Sequence, residues 1–178
     1  LQEFREQIAL HTQKIKTLFN QEPKVFRNTE LIYNNALGKF LEELGYQAVL
    51  TEGADHIMSQ RNPNYVHRVK DGRMKLLLKN YKLSDDIAFR FGNKGWSEYP
   101  LSPETYARCI HESDGHSVNL FMDYETFGEH QWEDTGIFTF LEKLPEALYA
   151  HPGTHFITVS ELTAYPAIGE LDIPEFIS

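Results

Sequence analysis

The chain has a single cysteine, Cys109, among 178 residues. One thiol excludes an intramolecular disulfide and any Cys-based metal cluster. Either redox compartment is open to such a chain, with a lean to the cytoplasm, where thiols stay reduced. No apolar run approaches the roughly 18 residues that a spanning helix needs, so no membrane partner is expected. A basic excess is missing as well. Lys and Arg number 17 against 26 Asp and Glu, giving a net charge of −9. A duplex nucleic-acid binder needs a basic face to meet phosphates, so that class drops out. A neutral ligand such as a sugar is compatible with the balance. Neither a Walker loop nor Gly-x-Gly-x-x-Gly follows an apolar run, which leaves nucleotide binding without support. Eight histidines are present. They come without paired cysteines, and His111 and His116 lie five apart, so neither a metal site nor a cofactor is expected. Residues 1–19 carry charges throughout and lack the apolar core of a secretory signal. They read as the inside of a helix, and the chain as a segment of a longer one.

With 41% hydrophobic and 24% charged residues, the composition is that of a globular protein, and the length suits one domain over residues 1–178. Phe4, Ile8, Ile15, Leu18 and Phe19 fall near helical spacing, predicting a helix over 1–20 that ends before Pro23. Lys24–Thr29 reads as a strand and Leu31–Leu44 as a helix, with Gly45 where a left-handed cap is wanted. The cycle repeats: strand at Gln47–Leu50, short helix from Ala54, strand at Met74–Leu78, helix at Ser84–Phe91. Between them, residues 59–73 read as a polar connection with an Asn-Pro-Asn turn. Ser102-Pro103-Glu104 starts another helix, because Ser caps, Pro fits the first turn and Glu favours the positive end. Val118–Met122 and His155–Val159 read as the fourth and fifth strands. Thr135–Tyr149 lies between them as a helix that Pro145 is expected to split. Strands alternating with helices predict βαβ units and a parallel sheet.

In parallel α/β folds, active sites gather at the C-terminal ends of strands. The residues there are Glu30, Glu52, Asn80, Asp123 and Glu161, four of them carboxylates. Paired carboxylates across a cleft are what cleavage of a glycosidic bond needs: one protonated to assist the leaving oxygen, one ionised to meet the developing positive carbon. The alternative is that strand-end acids merely cap the helices that follow. The run Phe121-Met122-Asp123-Tyr124-Glu125-Thr126-Phe127-Gly128-Glu129 adds three acids, aromatics suited to the apolar face of a pyranose, and a glycine that permits a tight path.

Val25-Phe26-Arg27-Asn28-Thr29-Glu30-Leu31 and Met122-Asp123-Tyr124-Glu125-Thr126-Phe127-Gly128 resemble two sequence regions of glycoside hydrolase family 57, closest to its α-amylase-like members. Thr51-Glu52-Gly53-Ala54-Asp55 and Gly92-Asn93-Lys94-Gly95-Trp96-Ser97 are similar to further parts of the pattern. The likeness runs from about residue 20 to about residue 160. It implies a (β/α) barrel, seven-stranded in the family and here an incomplete segment with about five strands. It also implies an α-glucan hydrolase or transferase that retains configuration. Matched by position, the nucleophile falls on Glu30 and the general acid/base on Asp123. The family's first-strand His-Gln-Pro motif and its C-terminal helical region have no counterpart here, so the rest of a longer chain is an expected partner, beside the α-glucan.

Other residues carry two readings each. Trp96 is a sugar-stacking platform or a loop anchor. Trp132 lines a subsite or simply packs. Arg27 orients a carboxylate or forms a plain ion pair. Glu125 binds a hydroxyl or holds Arg27, and Glu52 sits at a strand end beside the substrate. Asp55 and His56 serve a subsite or start a helix. Two other functions compete: a metal-dependent carbohydrate deacetylase, which needs an Asp and two histidines facing one point, and a non-catalytic glucan-binding module.

Overall fold

The computed structural model describes residues 1–177. Helix α1 (Gln2–Phe19) ends at Asn20, whose left-handed backbone (φ 51°) returns its N–H to the Lys16 carbonyl. Phe4 and Ile8 pack against the core, while the second half of the helix faces solvent. Strand β1 (Val25–Arg27) follows. Helix α2 (Asn35–Glu43) starts four residues later than expected, because the Asn34 side chain accepts from the Leu37 N–H and sets the start there. Gly45 takes the predicted left-handed position at φ 90°.

Strand β2 (Ala48–Thr51) leads into the short helix α3 (Asp55–Met58). The connection expected at 59–73 contains a strand, β3 (His67–Val69), paired antiparallel with β4 (Lys75–Leu78). It escaped the sequence because it is three residues long with Arg68 exposed between buried His67 and Val69. The sheet is five-stranded in the order β1-β2-β4-β3-β5, parallel except for the β3–β4 pair. Val49, Leu76 and Leu78 face one core with Tyr33, Leu41 and Met58. Ala48 and Leu77 face another with Val66 and Leu162. Burial on both faces is what makes β2 and β4 read as unbroken apolar runs.

Two expected strands are absent as ladders among the described residues. Residues 118–122 run extended beside the end of β4, where Asn80 donates to the Asn119 carbonyl and the Asn119 amide donates to the Leu78 carbonyl. β3 pairs only with Lys75 and Leu76 of β4, and this segment meets the far end of β4 through one backbone bond and one side-chain bond, too few for a ladder. Residues 155–159 are irregular, and the fifth strand is β5 (Glu170–Leu171), parallel to β3. Helix α4 (Tyr81–Asp85) is capped by the Asn80 side chain and runs into a π-helical turn at Asp86–Arg90. Helix α5 (Pro103–His111) has the predicted Ser102 cap. Helix α6 (Ile137–Tyr149) is not split by Pro145. The bond that Pro145 deletes would have gone to Leu141, on the exposed side, where water replaces it. α5, α6 and the π turn share a core around Ile87, Phe91, Tyr106 and Phe140.

Candidate active site

Residues from four parts of the chain converge on a cleft of about 350 Å³, lined by Glu30, Glu52, Lys79 and Asp123, with Asp85, Phe89, Phe121 and His130 around them. Hollows of about 440 and 650 Å³ lie elsewhere. Neither holds two of the strand-end carboxylates, so chemistry and not size singles out this cleft.

Glu30 is set by a strained turn. Thr29–Leu31 forms one 3₁₀ turn, and both Glu30 (φ 50°) and Leu31 (φ 55°) lie in the left-handed region. Two consecutive non-glycine residues there cost on the order of 1–2 kcal/mol each. The surroundings hold them. Leu31 is buried, and Asn28 bridges the turn, accepting from the Thr29 N–H at 3.0 Å and donating to the Ile32 carbonyl at 3.1 Å. The Glu30 carboxylate itself makes no hydrogen bond to any described residue and lines the cleft from an exposed position.

Asp123 stands at the start of the Tyr124–Thr126 3₁₀ turn, yet its side chain makes no cap. Only its backbone carbonyl is used, accepting from Thr126 at 3.1 Å. The loop then closes on itself. The N–H groups of Glu129 and His130 both donate to the Glu125 carbonyl, and Gly128, at φ 118°, donates to the Gln131 carbonyl. A left-handed residue is required there, which is why glycine stands at that position.

The capping alternative can now be taken residue by residue. Asn80 caps α4. Glu161 accepts from the N–H and hydroxyl of Thr158, bonds that hold its carboxyl below the usual range. Glu52 accepts from the Gly53 N–H and pairs with Lys79 at 3.3 Å, the two side chains only 14% and 18% exposed. Glu30 and Asp123 have no such structural employment. Beside the Glu52–Lys79 pair, burial pushes the Asp85 carboxyl up, partly offset by the charges of Lys79 and Arg90.

Five other sequence candidates, Trp96, Trp132, Glu125, Arg27 and Asp55, lie outside the cleft lining. Trp96 packs with the α5–α6 core, with the Arg90 guanidinium 5.9 Å from its ring centroid. Trp132 is 65% exposed and heads the 133–135 turn. Glu125 is exposed and makes no ion pair with Arg27 among the described residues. Arg27 instead lies over the ring of Phe121, a residue of the cleft lining, 4.8 Å from its centroid. Asp55 starts α3 and accepts from the Tyr81 hydroxyl at 2.7 Å. His111 stacks on His151 at 4.6 Å, away from the carboxylates. His151 and His155 are four apart in sequence, a spacing that Pro152 and Gly153 keep off any helix face. Among the described residues, no group of three or more His, Cys, Asp or Glu is placed to hold a metal ion. Sequence reasoning overlooked Lys79, Asp85 and Phe89. Lys79 was findable, since it follows an apolar strand directly.

A family model described as "Glycosyl hydrolase family 57" matches residues 1–174. A protein of Methanocaldococcus jannaschii named "Putative alpha-amylase" is 46% identical over 175 residues, which is 98% of this chain and 37% of that relative. Two solved structures share the fold at 18% identity each. A 4-alpha-glucanotransferase from Thermococcus litoralis superposes with a TM-score of 0.66, covering 93% of this chain and 26% of that one. A branching enzyme from Thermococcus kodakaraensis, in complex with glucose, gives 0.64, covering 96% and 45%. The chain thus spans between about a quarter and somewhat under half of the length of these relatives.

Proposed function

The chain belongs to glycosyl hydrolase family 57, and from that premise we propose that it is part of the (β/α)₇-barrel catalytic domain of a retaining α-glucan hydrolase or glucanotransferase, with Glu30 as nucleophile and Asp123 as general acid/base. The observation that carries this reading is that two carboxylates far apart in sequence, both free of structural hydrogen bonds, line one cleft.

In the first step the Glu30 carboxylate attacks the anomeric carbon while Asp123 gives its proton to the departing glycosidic oxygen. The C–O bond breaks and a glycosyl ester forms on Glu30. In the second, Asp123 takes a proton from water or a sugar hydroxyl, whose oxygen displaces Glu30. Two inversions restore the starting configuration. Retention requires the carboxyl groups about 5–5.5 Å apart, since no water stands between nucleophile and sugar. Glu52, Arg27, Glu125, Trp96 and Trp132 belong to this reading as substrate-binding candidates, with Glu52 the one in the cleft itself. The lone cysteine supports a reducing, cytoplasmic setting, and no described helix is long and apolar enough to cross a membrane. A deacetylase fits less well, because His130 is the single histidine in the lining.

The test is Glu30→Gln in the complete natural polypeptide, assayed on maltooligosaccharides with the anomeric configuration of the first product followed by NMR. The expected result is a loss of turnover of at least about 10³-fold with glucan binding kept, and an α-configured product from the unsubstituted protein. Unchanged turnover, or a β-configured product, overturns the assignment.

A further inference from the structure

We propose that Phe89 is the sugar-stacking platform of the cleft, a deepening that rests on the α-glucan reading above. In Ile87-Ala88-Phe89-Arg90-Phe91, both other large apolar side chains and Ala88 are buried, whereas Phe89 is 71% exposed. Other large hydrophobics of the chain are exposed too, and a single exposed one is ordinary, so exposure alone gives Phe89 no role. Its position supplies one, because it lines the same cleft as Glu30 and Asp123.

The backbone around Phe89 is locked from both sides. On one side the buried Gln131 amide donates to the Ala88 carbonyl at 3.1 Å, tying the segment to the end of the Asp123 loop. On the other, Arg90 donates to the Lys82 carbonyl and to Asp86, both at 2.7 Å. The π turn at Asp86–Arg90 is therefore fixed by side chains as well as by its own backbone, and such turns recur at functional sites. A flat apolar face on a fixed backbone beside acids that bind hydroxyls matches a pyranose, with its apolar ring face and polar rim. The fixed backbone matters because only the two side-chain torsions of Phe89 remain to be ordered on binding.

The experiment measures retention of the complete natural polypeptide in native gels containing soluble glycogen, together with KM and kcat on maltooligosaccharides. Phe89→Ala and Phe89→Leu are each expected to weaken retention and raise KM about tenfold, with kcat within about threefold. Phe89→Tyr, which keeps the flat face, is expected to restore both. Leu controls for bulk and hydrophobicity, and its melting point is expected unchanged because little of Phe89 is buried. Retention and KM unaltered in Phe89→Ala or Phe89→Leu, or lost equally in Phe89→Tyr, overturns the platform while leaving the catalytic assignment intact. An unsubstituted protein that neither binds nor cleaves glucan overturns both.

Discussion

The guanidinium of Arg27 lies 4.8 Å from the centroid of the Phe121 ring, joining the two segments that present the candidate catalytic carboxylates. Arg27 stands three residues before Glu30, and Phe121 two before Asp123. No strand ladder joins these segments among the described residues, since 118–122 makes no regular pairing. The stack is thus a direct link between them.

That link predicts coupling. Arg27→Met and Phe121→Leu are each expected to lower kcat by tenfold or more, because a shift of about 1 Å at a reacting centre costs on the order of 10²-fold. The double substitution should be little worse than either single one, with an interaction energy of about 0.5–2 kcal/mol in a double-mutant cycle. Additive losses would show that the two residues act separately.

The left-handed Glu30 predicts a conflict between stability and activity. Glu30→Gly removes the Cβ that makes φ 50° costly and is expected to match or exceed the parent stability, by up to about 1 kcal/mol, while turnover vanishes. Glu43→Gly, near the end of α2 at ordinary helical angles, should cost about 0.5–1 kcal/mol by comparison. Calorimetric melting of the two variants side by side checks the difference in sign.

Buried His67 predicts a pH dependence. Its Nε2 meets the Asn62 carbonyl at 3.2 Å and its Nδ1 has no partner. Burial lowers its pKa below the ordinary value of 6.5, opposed in part by that backbone contact. The unfolded chain therefore takes up a proton that the folded one refuses. Stability from this group is fully present above about pH 6.5 and falls as the pH drops below it, by up to about 1.4 kcal/mol per pH unit. Denaturant unfolding between pH 5 and 7.5 should show a flatter profile in His67→Gln than in the parent. Parallel profiles would remove His67 as the source.

The Glu52–Lys79 pair predicts non-additivity. Lys79→Met leaves a largely buried carboxylate with only the Gly53 N–H, and is expected to destabilise by about 1–3 kcal/mol. Adding Glu52→Gln should recover most of that, because the remaining charge is gone. Urea unfolding of the single and double variants measures it.

The sequence carried the α/β class and the central strands plainly, because residues 48–50 and 76–78 are apolar without interruption and largely buried. Caps at Ser102 and Gly45 were legible because each is a local backbone requirement. What escaped depended on contacts distant in sequence. The antiparallel β3 is recognisable only from its partner Leu76. Residues 118–122 have strand composition, yet they meet the end of β4 at Leu78 and Asn80 only and form no ladder. Helix α4 begins early because Asn80 bonds to Leu83, a choice that Asn80 could equally have left unmade. In the site, the carboxylates were findable from their place after apolar runs. Phe89 was not, since nothing in a helical pattern says which apolar residue will be left uncovered.

The order of the sheet sets a clock as well as a shape. β2 and β4 sit between other strands, are buried, and carry the longest ladders. Their amides should be the last to exchange with heavy water, opening only when the whole unit unfolds. Glu52 and Lys79 follow the ends of these slow strands. Glu30 and Asp123 sit on short turns outside the sheet ladders, and the amides of those turns are expected to exchange sooner. Under the proposed glucan reading, a floor that stays still while the turns above it give is how a sugar enters and leaves without loosening the rest of the molecule.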